Sequence, residues 1–163
     1  MAGALLLAGC ATGGGEAPRR PAVSVADQVG AVDRSLLVGT WQCRDLNPYP
    51  GAPQQTVTQT FGTDGTFRGD SSVSGEGPVG LIQVSAVGRW AVEGERLVTS
   101  DVTTKASSAD PTMNLIAGLT SEYLNSQPPS LRNGSSDVLE LTRSRLVTRP
   151  AGIDDPPVIA CTR

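Results

Sequence analysis

The sequence offers few side chains for acid–base, nucleophilic or metal chemistry. It has no histidine, the commonest general base and metal ligand in proteins. Its lysine, Lys105, lies close to Ser107 and Ser108, so a serine–lysine nucleophile is conceivable. That stretch has the composition of a polar loop, and no surrounding motif supports catalysis. We therefore expect no nucleophilic enzyme.

Carboxylate pairs are the other candidates for acid–base work. They are Asp64 with Asp70, Glu93 with Glu95, and Asp154 with Asp155. Each pair stands beside glycine or proline, so hairpin tips and turns explain it better. Zinc would need histidine or more cysteines, and calcium would need a loop of several spaced carboxylates. The sequence predicts no enzyme, no cofactor and no metal.

Charge and composition narrow the class of protein. The 13 basic and 16 acidic residues give a net charge of −3, and no basic face stands out for nucleic acid. The 19 glycines and 12 prolines are too many for a helical bundle and favour short elements joined by turns.

Residues 1–10 form an apolar run that ends in Leu7-Ala8-Gly9-Cys10. This ending resembles the lipobox of bacterial lipoproteins, although no Lys or Arg opens the segment as in a complete signal peptide. The resemblance implies a signal peptide over 1–9, a lipidated Cys10 and a membrane-anchored protein of the cell envelope. Ala11 then favours the outer membrane, facing the periplasm. The alternative is a buried strand or helix that happens to end in Gly-Cys.

Residues 10–35 lead from this anchor to the domain. Gly and Pro dominate 11–22, which predicts a flexible tether with Arg19 and Arg20 as solvated charges rather than head-group contacts. Between Ser24 and Leu37, apolar residues recur at helical spacing and predict a short helix.

From Leu37 onward, Val, Thr and alternating polarity indicate β-strands. The predicted strands cover 39–44, 56–61, 66–69, 81–92, 96–104, 139–143, 145–149 and 158–161. Asp110-Pro111 starts a predicted amphipathic helix over 111–126. We expect its apolar side to carry Met113, Ile116, Ala117, Thr120, Tyr123 and Leu124. That helix would either close one end of a barrel or cover a sheet face.

Gly39-x-Trp41 on the first predicted strand resembles the opening motif of the lipocalin and calycin superfamily. The segments 61–67 (Phe-Gly-Thr-Asp-Gly-Thr-Phe) and 88–90 (Gly-Arg-Trp) are similar to bacterial lipocalin-like domains found on lipoproteins. The resemblance implies a mainly β domain over 36–163, an antiparallel barrel or half-barrel of about eight strands. In that family the tryptophan closes the barrel base against an arginine, for which Arg149 and Arg163 are the candidates.

Cys43 and Cys161 lie on the first and last predicted strands, which barrel closure brings side by side. With Cys10 lipidated in an oxidising compartment, the two remaining cysteines form an even pair. We therefore predict a Cys43–Cys161 disulfide; the alternative is an intermolecular bond through one of them.

A lipocalin-like barrel implies a small apolar or amphipathic ligand. The predicted cavity lining is Val57, Phe61, Phe67, Val84, Trp90, Val98 and Leu141. The alternative is a packed core in a non-catalytic accessory lipoprotein. Such a protein would bind another envelope protein through a strand edge or through loops at 105–110 and 128–137.

Overall fold

The computed structural model describes residues 19–24, 31–52, 55–73 and 82–163. The lipobox and Cys10, and residues 25–30 of the predicted helix at 24–37, lie outside these residues; of the rest of that prediction, only 34–37 are helical. The strands are β1 (Gly39–Asp45), β2 (Thr56–Phe61), β3 (Thr66–Val73), β4 (Ile82–Glu93), β5 (Arg96–Ser108), β6 (Gly134–Leu141), β7 (Arg145–Pro150) and β8 (Ile159–Thr162). The helices are α1 (Arg34–Leu37), α2 (Pro111–Ser126) and α3 (Pro129–Arg132). None of the helices in the described ranges has the length and hydropathy needed to cross a membrane.

The eight strands form one closed antiparallel barrel in sequence order, which confirms the predicted fold class. Neighbours along the chain pair with each other, and β1 pairs with β8 to close the wall. Cys43 lies opposite Cys161 across this seam, and the two form the predicted disulfide. The bond therefore joins the first strand to the last.

The barrel has two unlike ends, because its hairpins alternate between them. Tight turns at 62–65, 94–95 and 142–144 gather with α1 at one end, which we call the closed end. The described parts of the longer connections, 46–52, 109–133 and 151–157, lie at the other end, which we call the open end.

Two tryptophans fill the closed end. Trp41 is fully buried and donates its indole N–H to the carbonyl of Leu37 at 2.8 Å. Trp90 donates in the same way to Gly62 at 2.9 Å. The Phe61 ring meets the edge of Trp90 at a centroid distance of 5.4 Å. Because both indole donors are satisfied, this end can be packed without unpaired polar groups.

Arg163 covers the closed end from outside. Its guanidinium carbon lies 4.2 Å from the Trp41 ring centroid, and its Nη1 and Nη2 donate to the carbonyls of Val38 and Leu36. Gly39 has φ +127°, and a Cβ there would lie 2.8 Å from Arg163 Nη1. The glycine of Gly39-x-Trp41 is thus required by both backbone and space. Of the two candidate arginines, Arg163 packs on Trp41, whereas Arg149 pairs with Asp137 at 3.6 Å.

Helix α2 runs along the edge of β5, so it neither plugs the barrel nor covers a sheet face. Strand β4 pairs with β5 as far as Ser108, but β6 pairs with β5 only from Arg96 to Thr99, so beyond Thr99 the edge of β5 opposite β4 has no strand partner. Side chains of α2 supply the missing hydrogen bonds. Asn125 both accepts from Thr104 N and donates to Thr104 O, each at 2.8 Å, and Ser121 accepts from Ala106 N at 2.7 Å. The helix therefore seals the strand edge.

The predicted bounds of α2 are confirmed and Ala117 is covered as expected, but the prediction is wrong for most of the other positions on that side. The side that meets β5 carries Ala117, Ser121 and Asn125 because a strand edge needs polar partners. Ile116 and Tyr123, which we expected on the covered side, are 47% and 65% exposed. The predicted loops at 105–110 and 128–137 are also wrong, since β5, α3 and β6 include most of their residues.

Residues 19–24 pack along the outer wall, and we call them the strap. Val23 joins a buried patch on the outside of β6, β7 and β8, formed by Leu139, Val147, Val158 and Ala160 with Leu46. Arg20 forms an ion pair with Asp45 and donates to Asn47 O. The expectation that Arg20 is a solvated charge is therefore wrong: only 13% of its side chain is exposed.

Candidate ligand cavity at the open end

Two adjoining cavities occupy the barrel interior towards the open end. The outer cavity has a volume of about 350 Å³ and begins at the rim. The inner cavity has about 170 Å³ and lies deeper in the barrel. Gln59 and Ile159 line both, so the two cavities are neighbours that border on these side chains. Together they reach from the rim towards the aromatic cluster of the closed end.

The outer cavity is apolar on one side and polar at its rim. The inner wall lies where β1, β2 and β8 meet, and it is formed by Val57, Ile159 and the disulfide-bonded Cys43. Tyr49 and Arg20 stand at the rim, with the guanidinium carbon 4.2 Å from the Tyr49 ring centroid. This polarity suits a molecule with one apolar and one polar end.

Arg20 is held firmly at this rim. Burial lowers its pKa, but hydrogen bonds to Asp45 and Tyr49 outweigh that cost, so the pKa of Arg20 stays above its ordinary value. Its Nε is buried and has no hydrogen-bond partner among the described residues. Arg20 itself lines the outer cavity, so its guanidinium places a positive charge beside any polar group bound there.

The inner cavity mixes aromatic, aliphatic and hydroxyl side chains. Phe61, Phe67 and Leu97 form its floor. Ser136 and Thr148 project into it from β6 and β7, and in the described part of the chain their hydroxyls have no side-chain or backbone partner. Such hydroxyls can orient a ligand that carries hydrogen-bonding groups.

The structure brings only part of the predicted lining together. Val57 lines the outer cavity, and Phe61 and Phe67 line the inner one. Trp90 and Leu141 instead belong to the closed-end core. Val84 lies on the inward face of β4 opposite Ala106, beyond both cavities.

Val98 is wrong as a lining residue. Its neighbours Leu97 and Thr99 line the inner cavity, so alternation along β5 turns Val98 to the outer surface. The prediction followed hydrophobicity instead of the two-residue period of the strand. Counting that period from Leu97 would have found Thr99.

Sequence reasoning missed the polar and loop-borne lining. Gln59 alternates with Val57 and Phe61 on β2, and this spacing was sufficient to place it inside. Thr148 and Ile159 follow from the same period on β7 and β8. By contrast, Arg20 and Tyr49 reach the rim from irregular segments, and no local pattern places them there.

The catalytic and metal candidates of the sequence do not assemble into a site. Asp64 accepts from Thr66 N and Oγ1 at a hairpin tip of the closed end, and Asp70 pairs with Arg68 on the wall. Among the residues the structure describes, no group of three His, Cys, Asp or Glu side chains is placed to hold a metal ion.

No protein-family model matches the sequence, and no curated protein is significantly similar to it.

Proposed function

We propose that this chain is a membrane-anchored lipoprotein of the bacterial cell envelope whose barrel binds one small amphipathic ligand. The observation that carries the ligand proposal is a pair of neighbouring cavities in the barrel, one with Arg20 and Tyr49 at its rim and one lined by Phe61 and Phe67. The apolar lining favours an aliphatic or aromatic part, and the Arg20 guanidinium and Tyr49 at the rim favour a polar part. The protein acts by binding and not by catalysis.

The anchor in this proposal is Cys10, which places the protein at the outer membrane, facing the periplasm. Several acyl chains on one residue hold a protein on a membrane durably, since each buried CH₂ contributes about 0.8 kcal/mol. Support comes from the lipobox-like ending Leu7-Ala8-Gly9-Cys10. Cell fractionation of Cys10→Ala tests this part: the variant should leave the membrane fraction, and full retention there would refute the anchor.

Extraction of the purified Cys10→Ala protein, followed by mass spectrometry, tests the ligand. We expect one co-purifying small molecule in a fixed ratio to the protein. Ser136→Leu fills the inner cavity and should lose it. Ser135→Leu makes the same change at the next residue of β6, on the outer face, and should keep it. Equal ligand content in the two variants, or a ligand-free protein in every preparation, would refute the proposal.

A further inference from the structure

The exposed apolar side chains of the barrel are concentrated on one side. The described residues include eight large hydrophobic side chains that are exposed, and five of them lie on α2. They are Leu115, Ile116, Leu119, Tyr123 and Leu124. Leu119 and Tyr123 are 61% and 65% exposed, which is unusual for adjacent positions on one helical stripe. The rest of the wall carries only scattered exposed side chains, such as Val87.

This stripe does not stabilise the barrel. The opposite side of α2 makes the hydrogen bonds to Thr104 and Ala106, so the fold needs Ser121 and Asn125 but not Leu119. Leu115, Ile116, Leu119 and Tyr123 are spaced as one face of a helix, and we call them the α2 face. A partner outside the described chain is therefore needed to cover it.

The position of the strap limits what that partner is. Arg20 is fixed at the open end beside Asp45 and the 151–157 connection. Its backbone N–H donates to the Asp155 carboxylate in that connection. The chain from Cys10 to Arg19 spans at most about 30 Å. If Cys10 carries the acyl chains, the open end of a barrel of this size lies within reach of the bilayer. The α2 face belongs to that same end, on the side of β5 and β6.

We propose that the α2 face lies on the lipid bilayer and sinks its side chains into the interface. This inference rests on the lipid anchor of the proposed function. Leucine and isoleucine favour the acyl boundary, and the amphipathic tyrosine ring suits the head-group level. Helix α2 carries a single charged residue, Glu122, and no Lys or Arg. Contact is therefore apolar and does not depend on anionic lipid.

Vesicle binding by the unacylated full chain, Cys10→Ala, separates the α2 face from the anchor. We expect weak, reversible binding to neutral phosphatidylcholine vesicles, unchanged by salt or by added anionic lipid. The double variant Leu119→Gln/Tyr123→Gln should bind at least about tenfold more weakly. Val87→Thr removes an exposed apolar side chain elsewhere on the wall and should bind normally. Circular dichroism of each variant verifies that the fold is kept.

A depth measurement gives a second readout. Leu119→Trp should be quenched by brominated phosphatidylcholine in vesicles. Glu95→Trp, at an exposed tip of the closed end, should not be quenched. Trp41 and Trp90 are buried and contribute the same background to both variants.

Three outcomes would overturn the inference. They are equal quenching at the two positions, a dimer in sedimentation that Leu119→Gln/Tyr123→Gln dissociates, and absence of vesicle binding together with crosslinking of the α2 face to an envelope protein. The anchor fails separately, when wild type and Cys10→Ala fractionate alike in cells. Ligand binding fails separately too, through the Ser136→Leu and Ser135→Leu pair.

Discussion

The two ends of this barrel use the same strands for opposite purposes. At the closed end, inward positions carry Trp41, Phe61 and Trp90, and every indole donor is satisfied within the end itself. At the open end, inward positions of β2 and β7 carry Gln59 and Thr148, and the space between them is not filled. On β2, two residues separate Phe61 in the packed core from Gln59 in the cavity wall. The closed end stabilises the fold, which leaves the open end free to bind.

A pair of substitutions on β2 gives the largest expected difference in stability between the two ends. Phe61→Ala should lower the free energy of unfolding by about 3 to 5 kcal/mol, because it leaves a void in a packed cluster. Gln59→Ala, two residues away on the same face, should cost less than about 1 kcal/mol because it only enlarges an existing cavity. Urea unfolding of the full-length Cys10→Ala protein measures both. Equal losses would contradict the division into two ends.

The disulfide lies where the two ends meet, since Cys43 belongs to the core and also lines the outer cavity. It closes a sequence separation of 118 residues between β1 and β8. Replacing both cysteines by alanine should cost about 2 to 4 kcal/mol, mainly by freeing the unfolded chain. Urea midpoints with and without reductant provide the check. A midpoint that reduction does not move would show that the closed end alone holds the seam.

Arg163 and Arg149 test the role of the closed end. Both are sequence candidates for packing on Trp41, but only Arg163 does so. Arg163→Ala should lower stability by about 1 to 3 kcal/mol, since it uncovers Trp41 and two carbonyls. Lysine should not restore it, because it lacks the planar fork. Arg149→Ala breaks one partly exposed ion pair and should cost less than about 1 kcal/mol. Similar shifts in melting temperature for the two alanine variants would show that Arg163 does not stabilise the closed end more than Arg149 stabilises the wall.

The smallest effect concerns pH at the closed end. Hydrogen bonds from the Thr66 hydroxyl and the Thr66 N–H hold the pKa of Asp64 below its ordinary value. A lowered folded-state pKa adds stability above the unfolded pKa of about 3.9, and this is lost as the pH falls through the folded value. Asp64→Ala should therefore melt slightly lower than wild type at pH 7. The gap should close below about pH 4. A gap that is constant with pH would exclude this linkage.

Much of the fold was predictable because strand alternation and turn chemistry act locally. The start of α2 followed from Asp110-Pro111, and the pairing of β2 with β3 followed from the Asp64-Gly65 hairpin. The disulfide followed from barrel closure and from the even pair of cysteines that remains beside Cys10. These features depend on neighbouring residues or on one topological fact.

The rest depended on partners that are distant in sequence. Which side of α2 is covered depends on where β6 begins, and this cannot be read from the helix. Arg20 is ordered by Asp45 and Tyr49, which come more than twenty residues later. Val98 was misplaced because its hydrophobicity outweighed its position in the strand. The cavity rim was therefore the part least accessible to sequence reasoning.

Hydrogen–deuterium exchange tests the central claim, that binding belongs to the open end. The full-length Cys10→Ala protein would be measured with and without the amphipathic probe 1-anilinonaphthalene-8-sulfonate. We predict that the probe slows exchange in segments 46–52, 134–137 and 151–157 and leaves segments 62–65 and 142–144 unchanged. Ser136→Leu should abolish this protection, whereas Ser135→Leu should keep it. Equal protection at both ends, or none at the open end, would contradict the account.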